Sequence, residues 1–218
     1  MPTQHLRSIL TRTGVPASVE IFLNPGWGSQ EPDHRQSLRT AIQANVDGNA
    51  AILDLTRLPK SAAHSISISH CKGLGGFAIA PAQFALGFDI EVSARVRKSD
   101  IARVASDPAE VAESPTPSAF WTAKEAAFKS LEGHCQPRGL KDLRVGSWSQ
   151  IGRGVFRCTV LEVDRRGFIG ISGVVIEDGV YTCAVFWSKT VNLNLTRPSP
   201  GSSSVSERFR VPQQSAVG

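Results

Sequence analysis

The stretch from Phe84 to Glu91 constrains this chain more than any other. Successive side chains on a strand point to opposite faces, so Phe84, Leu86, Phe88 and Ile90 form one apolar face. Ala85, Gly87, Asp89 and Glu91 form the other. Such a strand belongs in a sheet with one side buried, and its second side ends in two adjacent carboxylates. The small residues ahead of the acids are read as room for a ligand. Pro81-Ala82-Gln83 predicts a hairpin between this strand and Phe77–Ala80.

The second informative segment is Trp121-Thr122-Ala123-Lys124-Glu125-Ala126-Ala127-Phe128-Lys129. It reads as the middle of a helix capped at Thr116 or Ser118, running to about Leu131 and stopped by Gly133. Glu125 and Lys129 are four apart and share a helix face. Two strand carboxylates, a third from a helix and one ammonium suit a hard divalent cation carrying substrate phosphates.

Around these segments the periodicity predicts a strand at 18–23, closed by Asn24-Pro25-Gly26, and a helix from Asp33 to Val46. Ser65–His70 alternates, with Ile66, Ile68 and His70 opposite Ser65, Ser67 and Ser69. Later strands are expected at 143–148, 155–163, 168–176 and 180–187, with Asp178-Gly179 as a hairpin turn. The fold class is therefore α+β, in two successive strand-and-helix halves at 1–87 and 88–190. Residues 196–218, rich in Ser, Pro and Gln, read as a disordered tail.

A length of 218 residues with 41% hydrophobic and 20% charged residues allows a globular protein with a substantial core. The net charge of +5 favours an anionic partner. With no RNA-reading aromatic motif, zinc-finger spacing or long basic run, nucleic acid is not expected. Cys71, Cys135, Cys158 and Cys183 form no C-x-x-C pair and read as free thiols of a reducing compartment. Arg7 and Arg12 interrupt any leader-like apolar core, and the longest apolar stretch is too short to span a bilayer. The expectation is a cytoplasmic protein without membrane contact.

Ile68-Ser69-His70, Gly87-Phe88-Asp89-Ile90-Glu91 and Trp121-x-x-Lys124-Glu125-Ala126-x-x-Lys129 resemble the 4′-phosphopantetheinyl transferases in residue type, order and spacing. The likeness is close over about residues 65 to 135, looser to 187, and holds in outline before residue 60. The length is similar to that of the larger surfactin-synthetase-activating type, a single-chain pseudo-dimer with its active site in the cleft between two similar halves.

The resemblance implies Mg2+-dependent transfer of the phosphopantetheine arm from coenzyme A to a serine of an apo acyl or peptidyl carrier protein, releasing adenosine 3′,5′-bisphosphate. Such carriers serve fatty acid, polyketide or non-ribosomal peptide synthesis, and the larger type is usually monomeric. By the resemblance Asp89, Glu91 and Glu125 bind the metal, and Lys129 neutralises the pyrophosphate. Lys124 joins the substrate-binding set, and His70 meets the nucleotide phosphates. Glu125 is the family's catalytic base, with a bridging water or the pyrophosphate oxygens as the alternatives. Arg35 and Arg39 are assigned to the 3′-phosphate. Lys60, in Arg57-Leu58-Pro59-Lys60, stands in for the Gly-Lys-Pro segment near the adenine. Cys71 replaces the family's usual serine after the histidine, and Asp107-Pro108-Ala109-Glu110 resembles its acidic segment.

Each feature also has a plainer reading. Asp89 and Glu91 alone could be a solvated strand end, Glu125 and Lys129 a surface ion pair, and His70 a core histidine. Trp121 reads as packing and Lys72-Gly73-Leu74-Gly75-Gly76 as a turn. Arg95, Arg97, Lys98 and Arg103 form a basic face that suits an acidic carrier helix. Two rival functions remain: another Mg-dependent phosphotransferase, and a catalytically silent module that binds coenzyme A or a carrier.

Overall fold

The computed structural model describes residues 13–29, 31–46, 52, 58–167 and 170–189. The predicted tail at 196–218 and Arg57 lie outside them. The architecture is α+β, built on antiparallel sheets with few helices. Strands β1 (Glu20–Asn24), β2 (His64–Cys71) and β3 (Leu74–Pro81) form a three-stranded sheet in the order β1-β3-β2. The second sheet contains β4 (Phe84–Val92), β5 (Leu143–Gly152), β6 (Val155–Val163), β8 (Ser172–Glu177) and β9 (Tyr181–Lys189). Their order is β4-β9-β8-β6-β5, with the short β7 (Arg166–Gly167) beside β6. Helix α1 (Pro32–Gln43) precedes β2. Three helices follow β4: α2 (Lys98–Val104), α3 (Pro108–Glu113) and α4 (Pro117–Ser130).

Three cores hold these elements in layers. Helix α1 places Leu38 and Ile42 on Phe77 and Ile79 of β3, with Ile66 and Ile68 of β2 packed alongside. Between the two sheets, Leu23, Ala78 and Ala80 meet Phe88, Ile90, Val174, Ile176 and Val185. Beyond the second sheet, Ala119, Ala123, Ala126 and Ala127 of α4 cover Val145, Val160, Val175, Ala184 and Phe186. Consecutive residues of β3 and of β9 therefore serve different cores, as the two-residue strand period requires. Among the described residues no helix is long and apolar enough to cross a membrane.

The expected hairpin between Phe77–Ala80 and Phe84–Glu91 does not form. β3 already has β1 and β2 on its two edges. The Ala82-Gln83 link instead passes the chain to the second sheet, where β4 pairs along its whole length with β9. The expected boundary between 87 and 88 thus falls inside β4, and the two sheets share one core.

β2 and β4 meet at a seam sewn by side chains. The Ser65 hydroxyl donates to the Phe84 carbonyl at 2.6 Å. Ser67 accepts the Phe88 amide at 2.9 Å, and Ser69 accepts the Ile90 amide at 3.1 Å. The serine face of β2 is consequently buried, with Ser67 and Ser69 each 6% exposed. Hydroxyls here do what a neighbouring backbone would do for a strand edge.

Gly87 decides how closely α4 approaches β4. A Cβ there would lie 1.8 Å from the Ala126 carbonyl oxygen and 2.5 Å from the Ser130 nitrogen. The small side chains ahead of the acids therefore make room for a helix, in place of the ligand read from the sequence. Because both obstructing atoms are backbone, Gly87→Ala is expected to destabilise by about 3 kcal/mol. Chemical denaturation measures this; a loss below about 1 kcal/mol would contradict the packing.

Candidate functional site

Helix α4 begins at Thr116, whose hydroxyl accepts the Ala119 amide at 3.0 Å, with Pro117 in the first turn. Thr116 and Ser118 also donate to Glu177 Oε1 at 2.5 and 2.7 Å, tying the helix start to β8. With its beginning anchored and its middle lying on Gly87, the helix presents Glu125 and Lys129 to the acidic end of β4.

Lys129 spans the seam between the sheets. Its Nζ lies 2.8 Å from Asp89 Oδ1 and donates to the carbonyls of Phe88 at 3.2 Å and Ile68 at 3.3 Å. Asp89 is 7% exposed, and its Oδ1 also accepts the Ser69 hydroxyl at 2.7 Å. Glu91 is half-buried and turns one oxygen back to the Val92 amide at 2.8 Å.

Glu125 is close enough to these groups to feel them. Burial first, then the charges of Asp89 and Glu91, push its carboxyl pKa up, while Lys129 opposes the shift. His70, exposed at the end of β2, has its pKa held below the ordinary value by partial burial of the ring, then by the Lys129 and Arg35 charges. Asp89 opposes that shift. The imidazole is neutral at pH 7. Arg35 lies exposed on α1 beside it. Cys71 adjoins the same acids; burial, then Glu91 and Asp89, raise its pKa to about 12 and keep the thiol protonated.

Asp89, Glu91, Glu125, Lys129, His70 and Arg35 are thus brought to one place. Three other predicted site residues are not. Lys124 is fully buried, with its Nζ 2.9 and 3.0 Å from the Glu110 oxygens and bonded to the Leu143 carbonyl. One residue before Glu125 on a helix is about 100° around the axis, so Lys124 faces α3 and β5, away from the acidic end of β4. Arg39 is 6% exposed and donates to the Ile52 carbonyl at 3.3 Å, within the core beneath α1. Lys60 lies exposed in the segment leading to β2 and makes no contact with the carboxylates. Asp107 caps α3 by accepting the Glu110 amide at 2.9 Å and pairs with Arg144 at 3.2 Å.

Ser69 and Glu110 each fall within a segment that carries the resemblance, but the sequence assigns neither a role of its own. The serine alternation in β2 was the available signal for the first. Nothing local distinguishes Glu110, whose role depends on Lys124. A concavity lined by Pro16, Pro81, Phe84 and Trp187 opens at the other end of β4 and touches none of these groups.

Among the described residues no three His, Cys, Asp or Glu side chains stand close enough to hold a metal ion as they are placed. The donors nevertheless fit a hard divalent cation in kind, being oxygens of three acids. Burial first, and then the charges of Asp89 and Glu91, raise the pKa of Glu125, and a cation among the three acids would offset both.

The same shift predicts a pH effect in the metal-free protein. A raised carboxyl pKa contributes stability that is full below the ordinary value of 4.5 and is lost as pH rises through the raised value. Glu125→Gln removes the buried charge and with it the repulsion from Asp89 and Glu91, so the variant should melt above wild type at neutral pH. The gap should close as pH falls toward 4.5. Melting temperatures of both proteins across pH test this; a pH-independent gap, or a less stable variant at neutral pH, would contradict it.

No family model matches the chain, and no curated protein matches it.

Proposed function

We propose that this protein is a 4′-phosphopantetheinyl transferase, moving the phosphopantetheine arm of coenzyme A to a serine of an apo carrier protein. The observation that carries the reading is Lys129 reaching from α4 to Asp89 on β4, which joins the two motifs beside the seam between the sheets, while its bond to the Ile68 carbonyl crosses that seam. In this reading the two sheets, each with a helix on its outer face, are the halves of a pseudo-dimer, and substrate enters where they meet.

Asp89, Glu91 and Glu125 would hold Mg2+, which supplies Lewis-acid polarisation of the pyrophosphate when bound. Lys129 places a positive charge where the pyrophosphate would lie, and charge there stabilises phosphoryl transfer. His70, neutral and exposed, offers a ring nitrogen to the nucleotide phosphates, and Arg35 adds a cation on the same rim. Glu125 is also the group assigned to the carrier serine proton, with a bridging water or the pyrophosphate oxygens as the alternatives. The basic residues after β4, Arg95, Lys98 and Arg103, offer an acidic carrier helix a docking charge; Arg97 is engaged with Asp100 at 3.2 Å.

The test is incubation with coenzyme A, Mg2+ and an apo carrier protein, followed by intact mass spectrometry of the carrier. The expected result is a gain of one phosphopantetheine arm that a chelator abolishes. No gain across several carriers, with coenzyme A bound, would favour a silent binding module.

A further inference from the structure

The seam serines are not equivalent. Ser67 and Ser69 lie two apart on β2, are equally buried at 6% exposure, and each accepts a β4 amide. Only Ser69 also touches a carboxylate, donating its single proton to Asp89 Oδ1 at 2.7 Å while accepting the Ile90 amide at 3.1 Å. The amide polarises the hydroxyl it donates to, which strengthens the onward bond. Lys129 approaches the same oxygen at 2.8 Å, so the hydrogen bonds to Asp89 converge on Oδ1. Oδ2 remains the oxygen available to a cation. A carboxylate held by one oxygen from two sides cannot rotate without breaking a bond.

We infer that Ser69 is a positioning residue for Asp89, orienting its carboxylate across the seam so that Oδ2 serves a divalent cation. This rests on the reading of Asp89 as a metal ligand. It makes cation affinity depend on the docking of one sheet against the other, because the orienting hydroxyl belongs to the first sheet and the carboxylate to the second. Ser67 supplies an internal control, since its loss removes an equivalent seam bond and leaves Asp89 untouched.

The experiment measures Mn2+ binding by electron paramagnetic resonance, with and without coenzyme A, for wild type, Ser67→Ala and Ser69→Ala, together with their melting temperatures. Both variants should melt below wild type, Ser69→Ala by more because it also loses the bond to the Asp89 carboxylate. Ser69→Ala should weaken Mn2+ binding by about tenfold, the low end for loss of a group that orients a metal ligand. Ser67→Ala should keep wild-type affinity. Ser69→Thr against Ser69→Val repeats the comparison at matched shape, with the hydroxyl as the variable: Thr should bind Mn2+ about tenfold more tightly than Val. Equal Mn2+ affinity in Ser67→Ala and Ser69→Ala, or in the Thr and Val variants, would overturn the role of Ser69. Wild type that binds no Mn2+ under either condition would instead overturn the metal reading of Asp89, and the inference with it.

Discussion

Lys124→Met is expected to destabilise the protein by about 3–5 kcal/mol, the cost of leaving one partner of a buried ion pair alone. Lys124 and Glu110 are both fully buried, so water cannot solvate the carboxylate that remains. Glu110 would still hold the Val145 amide at 2.7 Å and the Ser106 amide at 2.7 Å. Those two bonds do not offset an unpaired charge at this depth. Nor should adding Glu110→Leu restore stability, although buried pairs can often be replaced by apolar residues. The double variant would orphan the Val145 and Ser106 amides, each at about 1–3 kcal/mol, although the Leu143 carbonyl would keep the Ser106 hydroxyl. Urea denaturation of both variants decides the matter; a loss below about 1 kcal/mol in Lys124→Met, or rescue in the double variant, would show that the cluster does not hold α3 and β5 to α4.

The second large effect is on turnover. Asp89→Asn keeps an oxygen for the Ser69 hydroxyl and leaves Lys129 its bonds to the Phe88 and Ile68 carbonyls. The fold should therefore survive with a stability change of about 1 kcal/mol or less. What is lost is the charge that attracts Lys129 and, in the proposed reading, a divalent cation. In the proposed transfer, the rate of carrier modification should fall about a hundredfold or more, roughly 2.7 kcal/mol of transition-state stabilisation. The readout is kcat/KM for carrier modification, followed by intact mass, beside the melting temperature. A variant that melts like wild type and retains full rate would remove Asp89 from the mechanism; one that loses both together would mark it as structural.

Several parts of the molecule were legible from residue order alone. The strand periodicity of β2, β4, β6 and β9, the start of α4 at Thr116 or Ser118 and the Asp178-Gly179 turn depend on neighbours a few residues away. The Asp178 carboxylate accepts the Val180 and Tyr181 amides at 2.8 and 2.7 Å, as that turn signal predicts. The short helices α2 and α3 were not legible. Their residues have weak local preference, and α3 is fastened by Glu110 meeting a lysine from another helix.

The candidate site divides in the same way. The sequence by itself determined that Asp89 and Glu91 share a strand face and that Glu125 and Lys129 share a helix face, because both follow from the period of one element. Only the tertiary structure decided that β4 leaves β3 for β9, that Gly87 receives a helix, that Ser69 holds Asp89, and that Lys124 is buried with Glu110. The physical reason is common to all four. Periodicity states which residues lie on a face, whereas what covers that face is chosen by packing and by the pairing of buried polar groups between segments far apart in the chain.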